Sequence, residues 1–79
     1  MVIGITFVNV LVGGETLVYE LIRKIEGVRD VYQVFGEFDF IVKIEVESLS
    51  GVNSVVDRIR GVHEVFSTQT IIGIDFDLD

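Results

Sequence analysis

The chain has no cysteine, one histidine and only six lysines and arginines among its 79 residues. Each shortage excludes something. Without cysteine there are no disulfides to staple a small fold and no thiolates to hold a metal. A single histidine excludes a histidine-rich metal centre. Six cations against 13 acids leave a net charge of −7, whereas nucleic-acid binding draws most of its affinity from cations set against phosphates. The basic clusters are Arg23-Lys24 with Arg29 nearby, and Arg58 with Arg60. They alternate with acids in helix-like segments and read as solvated helix faces, so direct nucleic-acid binding is not expected. No apolar run approaches the roughly 20 residues that span a bilayer. The opening "MVIGITFVNVLVGG" lacks the basic region and cleavage site of a signal peptide. The expected location is the cytoplasm, with no membrane partner.

A chain of this length makes one small domain, residues 1–79, and such a domain buries only about 60% of its unfolded surface. Small folds supplement a thin core with disulfides, a metal or oligomerisation. The first two are excluded. The third agrees with a composition that is 49% hydrophobic, more than a small core can hide. An apolar sheet face buried by a second copy is the expected consequence.

What is present is an internal repeat. "LIRKIEGVRDVYQ" at 21–33 aligns with "VVDRIRGVHEVFS" at 55–67. At that offset Ile25 falls on Ile59, Gly27 on Gly61, Val28 on Val62 and Val31 on Val65, while upstream Val8, Val12 and Val18 fall on Val42, Val46 and Val52. Two copies are too few for a solenoid, so two packed copies of one unit are expected. Each unit reads strand, helix, strand. In the first, 2–12 is a strand broken by Gly13-Gly14. A helix with an apolar stripe of Leu17, Val18, Leu21, Ile22 and Ile25 follows, ended by a left-handed Gly27, and 28–35 is the second strand. In the second unit, 38–47 is a strand. Ser48 or Ser50 caps a helix with the stripe Leu49, Val52, Val56 and Ile59, Gly61 stops it as Gly27 stops the first, and 62–75 is a long last strand. The order βαββαβ predicts an α+β, ferredoxin-like fold: a four-stranded antiparallel sheet with both helices on one face, strands one and three central.

The repeat pairs Val8, Val10 and Val12 with Val42, Ile44 and Val46, and these are expected to face the helices. Side chains alternate along a strand, so the other face carries Ile5, Phe7, Asn9 and Leu11, and Asp39, Ile41, Lys43 and Glu45. Tyr32, Val34, Thr68, Thr70 and Ile72 are assigned to the same face from the edge strands. A bare face holding Phe7, Leu11, Tyr32, Val34 and Ile41 is the expected dimer interface.

The stretch "VFGEFDFIVKIEVE" at 34–47 carries the most chemistry. A hairpin needs only Gly36, yet Glu37 and Asp39 stand beside it. Asp39 is expected to point toward the interface, and a buried carboxylate without a partner costs several kcal/mol. Gly36 can leave backbone N–H groups open to an anion, and Thr68 and Thr70 add hydroxyls. A carboxylate for an ammonium, N–H groups for a carboxylate and hydroxyls nearby suit a free amino acid. A plain hairpin with solvated acids, and threonines that merely favour strands, is the other reading open on these residues alone.

The segments "IEGVRDVYQVFGEFDFIVKIEV" and "IRGVHEVFSTQTIIGI" resemble the effector domain of the Lrp/AsnC transcription regulators, the RAM domain. The likeness is carried by Gly27-Val28, Val31-Tyr32, the turn Gly36-Glu37-Phe38-Asp39, Gly61-Val62, and Ser67-Thr68-Gln69-Thr70 opening the last strand. The resemblance implies a dimeric α/β barrel with sheets face to face, and dimers assembled into a ring, commonly of eight subunits. It implies amino-acid sites between dimers, lined by Gly36, Glu37 and Asp39 and by Thr68, Gln69 and Thr70. Full-length members carry an N-terminal helix-turn-helix domain, whereas this sequence opens directly in the first effector strand and looks like a stand-alone effector module.

His63 falls opposite Arg29 in the repeat and reads as a surface position. The tail "IDFDLD" lacks the glycine and closing glutamate of a calcium loop and reads as a strand end with a solvated acidic edge. Neither a catalytic pair nor a metal or cofactor ligand set is evident. The expectation is a non-enzymatic amino-acid-sensing and oligomerisation module that modulates full-length Lrp/AsnC regulators by mixed assembly. The alternatives are a purely structural oligomerisation module and, less favoured, a small ferredoxin-like enzyme.

Overall fold

A computed structural model describes residues 1–74. Its elements are β1 (Val2–Val10), α1 (Glu15–Ile22), β2 (Val28–Gln33), β3 (Phe40–Val46), α2 (Leu49–Arg60) and β4 (Val65–Ile74). The sheet order is β2-β3-β1-β4 with every neighbouring pair antiparallel, so the ferredoxin-like βαββαβ expectation holds, with β1 and β3 central. Most of the acidic tail lies outside the described residues.

Alternation on the two central strands builds the core. Val8 and Val10 on β1, and Phe40, Val42 and Ile44 on β3, are buried together against Val18 and Ile22 of α1 and Val52, Val55 and Ile59 of α2. Val18 and Val52, equivalent in the repeat, are both fully buried. A fully buried aliphatic side chain contributes roughly 1.5–3 kcal/mol. α1 therefore docks through two such residues in eight, and α2 through three in twelve. α2 is also capped: Ser48 Oγ accepts from the Gly51 N–H at 3.2 Å, whereas α1 starts at Gly14 with no side-chain cap.

Several expected boundaries and faces shift. β1 stops at Val10, so Val12 is fully exposed instead of facing the helices. β2 ends at Gln33, short of Val34 and Phe35, and β4 begins at Val65, not at 62. Leu17 and Leu21 project from α1 into solvent, and Leu49 does the same from α2; the real stripes are narrower, and Val55 takes a place on that of α2. α1 ends at Ile22, a turn before Gly27, and closes through short bonds from the Lys24 and Ile25 N–H groups to the Leu21 and Ile22 carbonyls. Gly61 caps α2 with an ordinary φ of −74°, so the two repeat glycines do different work.

Gly27 is left-handed, φ +99°. A Cβ there would sit 2.7 Å from Val55 Cγ2 and 3.1 Å from Val46 Cγ1. Both the backbone and the packing against α2 require glycine. Gly27→Ala is expected to destabilise the fold by about 2–4 kcal/mol, combining left-handed strain with overpacking, as read from the urea unfolding midpoint.

Candidate functional site

The site is built from the turn between β2 and β3 and the strand ends beside it. Residues 34–39 leave β2, turn at Gly36 and enter β3. The turn is closed by the Val34 N–H donating to the Asp39 carbonyl at 2.9 Å, and it is stitched to β1 by the Asp39 N–H donating to the Val8 carbonyl at 2.9 Å. Gly36 has φ +124°, with nothing within 4 Å of the position a Cβ would take. Its backbone stands open, as an anion-binding turn requires, and Glu37 is exposed at the tip.

Asp39 is half-buried, and its setting differs from the expected one. It does not wait for a partner outside the chain, because its Oδ2 accepts from the Val10 N–H at 2.8 Å. The side chain turns back along the end of the sheet and supplies an acceptor where β3 has run out of backbone carbonyls to offer. One carboxylate oxygen is thus engaged, and among the described residues Oδ1 has no hydrogen bond.

The bare face follows from the register. Tyr32, Ile41, Phe7 and Gln69 form one row across the four strands, and Asp30, Lys43, Ile5 and Ile71 form the next. Phe38 closes on Phe7 with ring centroids 5.0 Å apart. On its β2–β3 side the face carries charge: Lys43 Nζ and Arg29 Nε approach Glu45 Oε2 at 3.4 and 3.9 Å. Phe7, Tyr32 and Ile41 therefore lie on the face expected of them. Leu11 sits past the end of β1, held by its N–H on the Glu64 carbonyl at 2.8 Å, and half-buried Val34 lies past the end of β2.

The last strand corrects the expectation. Thr70 pairs with Thr6, Thr68 with Val8 and Ile72 with Gly4, and Thr6 and Val8 are buried on the helix side. Thr68, Thr70 and Ile72 therefore belong to the helix face. Thr70 Oγ1 lies 3.0 Å from Thr6 Oγ1, satisfying the one fully buried hydroxyl. Of the proposed last-strand ligands only Gln69 looks out of the bare face, joined by Ser67, which pairs with Asn9. Thr68 and Ser67 line a cleft with Arg60, Val65 and Phe66 at the sheet edge, two strand spacings, about 10 Å, from the β3 end of the sheet where the turn enters. One chain thus brings Gly36, Glu37 and Asp39 together but not the residues of the last strand with them. Sequence reasoning missed Val10 and Thr6 as partners of Asp39 and Thr70. A buried threonine among valines on β1 was the available signal for the second.

This arrangement places the chain among known proteins. The model of the Lrp/AsnC ligand binding domain matches residues 7–75. The chain belongs to that family. Among curated relatives, homocitrate synthase from Sulfolobus acidocaldarius is 40% identical over 55 residues, covering 70% of this chain and 12% of the enzyme. The HTH-type transcriptional regulator LysM from Sulfurisphaera tokodaii is 35% identical over 51 residues, covering 65% of this chain and 36% of the regulator. The Lrp/AsnC domain thus spans only a fraction of those relatives. Among solved structures, the hypothetical protein PHS023 from Pyrococcus horikoshii superposes with a TM-score of 0.86 at 32% identity, covering 94% of this chain and 90% of that one. The regulator NMB0573 from Neisseria meningitidis, solved as an L-Met complex, has the same fold, with a TM-score of 0.81 at 15% identity over 95% of this chain and 51% of that one. Among the described residues no group of three or more His, Cys, Asp or Glu could hold a metal, and no helix is long and apolar enough to cross a membrane.

Gly36 and Gly27 share a positive φ but not their surroundings. Gly36→Ala is expected to cost only the backbone strain, about 1–2 kcal/mol, and to leave the rest of the fold intact. Denaturation of the two glycine variants side by side checks this, with Gly27→Ala the more damaging.

Proposed function

We propose that this chain is a non-enzymatic amino-acid-sensing and oligomerisation module. The observation that carries the proposal is the turn at 34–39, which holds the open backbone of Gly36 and, three residues on, an Asp39 carboxylate engaged through Oδ2. Asp39 receives the ammonium of a free amino acid, and N–H groups near Gly36 receive its carboxylate. Glu37 at the tip contributes little. Gln69, and the hydroxyls of Thr68 and Thr70 where a neighbouring subunit presents its sheet edge, complete the site between dimers. The L-Met complex of a regulator with this fold supports the ligand class.

The dimer forms through the bare face, with Phe7, Tyr32 and Ile41 at its centre and Leu11 and Val34 at its ends, and dimers close into a ring of about eight subunits, as the family resemblance implies. Phe7, Ile5 and Ile41 are only half-buried, and Ile71 and Tyr32 more exposed still. Apolar groups gathered on one face favour removal from water at roughly 25 cal/mol per Å². The module acts in the cytoplasm by mixed assembly with full-length Lrp/AsnC regulators and has no catalytic residues of its own. The short span of the homocitrate synthase match, 12% of that enzyme, supports a module distinct from catalysis.

A purely structural role is favoured by one observation, the Asp39–Val10 hydrogen bond, which gives the carboxylate work without a ligand. Isothermal calorimetry with the twenty protein amino acids separates the two. The sensing reading expects one of them to bind, and Asp39→Asn to weaken that binding by about ten- to a hundredfold through loss of a charge-assisted bond while the fold persists. Uptake of none at millimolar concentration contradicts it. For the assembly, Phe7→Asp places a lone charge in the interface and is expected to give monomer or unfolded chain by light scattering, where the parent gives a dimer or larger.

A further inference from the structure

The Val10 N–H stands where the sheet changes register. Asn9 pairs with Ser67, but Val10 pairs with Val65, so Phe66 is the extra residue of a bulge and is left 62% exposed. A bulge bends its strand and interrupts the ladder. On the other side of β1, β3 begins at Phe40, opposite Val8, and has no backbone carbonyl for Val10. Asp39 Oδ2 fills that gap at 2.8 Å. The next residue, Leu11, is held by the Glu64 carbonyl just before β4. The end of β1 is thus clamped from both sides, by the turn through Asp39 and by the β4 bulge through Glu64.

We propose that Asp39 is a shared acceptor that positions the end of β1 and couples ligand occupancy of the turn to the β1–β4 bulge. This rests on the amino-acid reading above and adds to it. With one lone pair of Oδ2 engaged by Val10, Oδ1 is the oxygen with both acceptor sites open, and it meets the ligand's ammonium. An ammonium on Oδ1 draws charge from the oxygen that Val10 shares, so the Val10 N–H reports binding although it touches no ligand. Phe66, the exposed residue of the bulge, stands across the same clamp.

Two substitutions separate the halves. Asparagine retains a carbonyl oxygen for the Val10 N–H but not the charge, and alanine retains neither. Amide hydrogen exchange of Val10 is expected to quicken by about ten- to a hundredfold in Asp39→Ala and to stay near the parent rate in Asp39→Asn. Titrating the parent with the twenty amino acids in turn should move the Val10 amide resonance with the ligand that binds, and the same titration should leave it unmoved in Asp39→Asn. Unchanged Val10 exchange in Asp39→Ala overturns the positioning role. A bound amino acid that leaves the Val10 resonance in place overturns the coupling. If no amino acid binds the parent, the sensing reading falls and the coupling with it, while quickened exchange in Asp39→Ala still upholds the clamp.

Discussion

A sheet has two faces, and the helices of this chain can cover only one. That constraint organises the molecule. Side chains alternate along β1 and β3, so burying Val8, Val10, Val42 and Ile44 beneath α1 and α2 necessarily turns Ile5, Phe7, Ile41 and Lys43 the other way. The sequence has no cysteine for a disulfide, and among the described residues no His, Cys, Asp or Glu cluster could hold a metal. The second face is thus the surplus of the fold and, as proposed, the surface through which it gains a partner.

The same geometry gives the turn its chemistry. The turn lies at the end of the sheet where the strands stop in unequal places: β3 starts opposite Val8, β1 continues to Val10, and β4 makes room with a bulge at Phe66. Unequal strand ends leave backbone groups unpaired, and an unpaired N–H is costly away from water. Asp39 resolves one of them. A carboxylate recruited to finish a ladder is also a carboxylate held in one orientation with one oxygen free, which is a useful starting point for recognising a cation. The structural role and the proposed binding role need not compete at this residue, because the second would use the other oxygen.

Much of this was legible in the residues. The repeat relating Val8 to Val42 and Val18 to Val52 identified the four valines that meet in the core, and the order of strands and helices followed from it. The turn at Gly36 and the apolar character of Phe7, Tyr32 and Ile41 were equally plain. The last strand was not. Its ten residues offer polar and apolar side chains on both parities, Ser67 and Gln69 with Ile71 on one and Thr68 and Thr70 with Ile72 on the other, so pattern alone assigns it no face, and register depends on pairing across to Thr6 and on an extra residue at Phe66. A bulge moves every later side chain to the opposite face for the cost of one residue, and nothing local announces it. The stripes of α1 and α2 misled for a different reason: Leu17, Leu21 and Leu49 have the right spacing, but helices this short bury only two or three side chains against a small sheet. The Asp39–Val10 bond lay beyond sequence because it is an interaction between two strand ends, visible only once both ends are placed.

The central claim is that the turn, with Asp39 at its end, receives an amino acid at a contact between subunits. Crystals grown with the amino acid found to bind offer the most direct measurement, read as electron density beside Asp39. The account predicts density for a free amino acid between subunits, its ammonium on Oδ1, its carboxylate at the backbone near Gly36, and Oδ2 still on the Val10 N–H. Density for that ligand elsewhere, or an Asp39 Oδ1 already filled by a side chain of the neighbouring subunit, would contradict it.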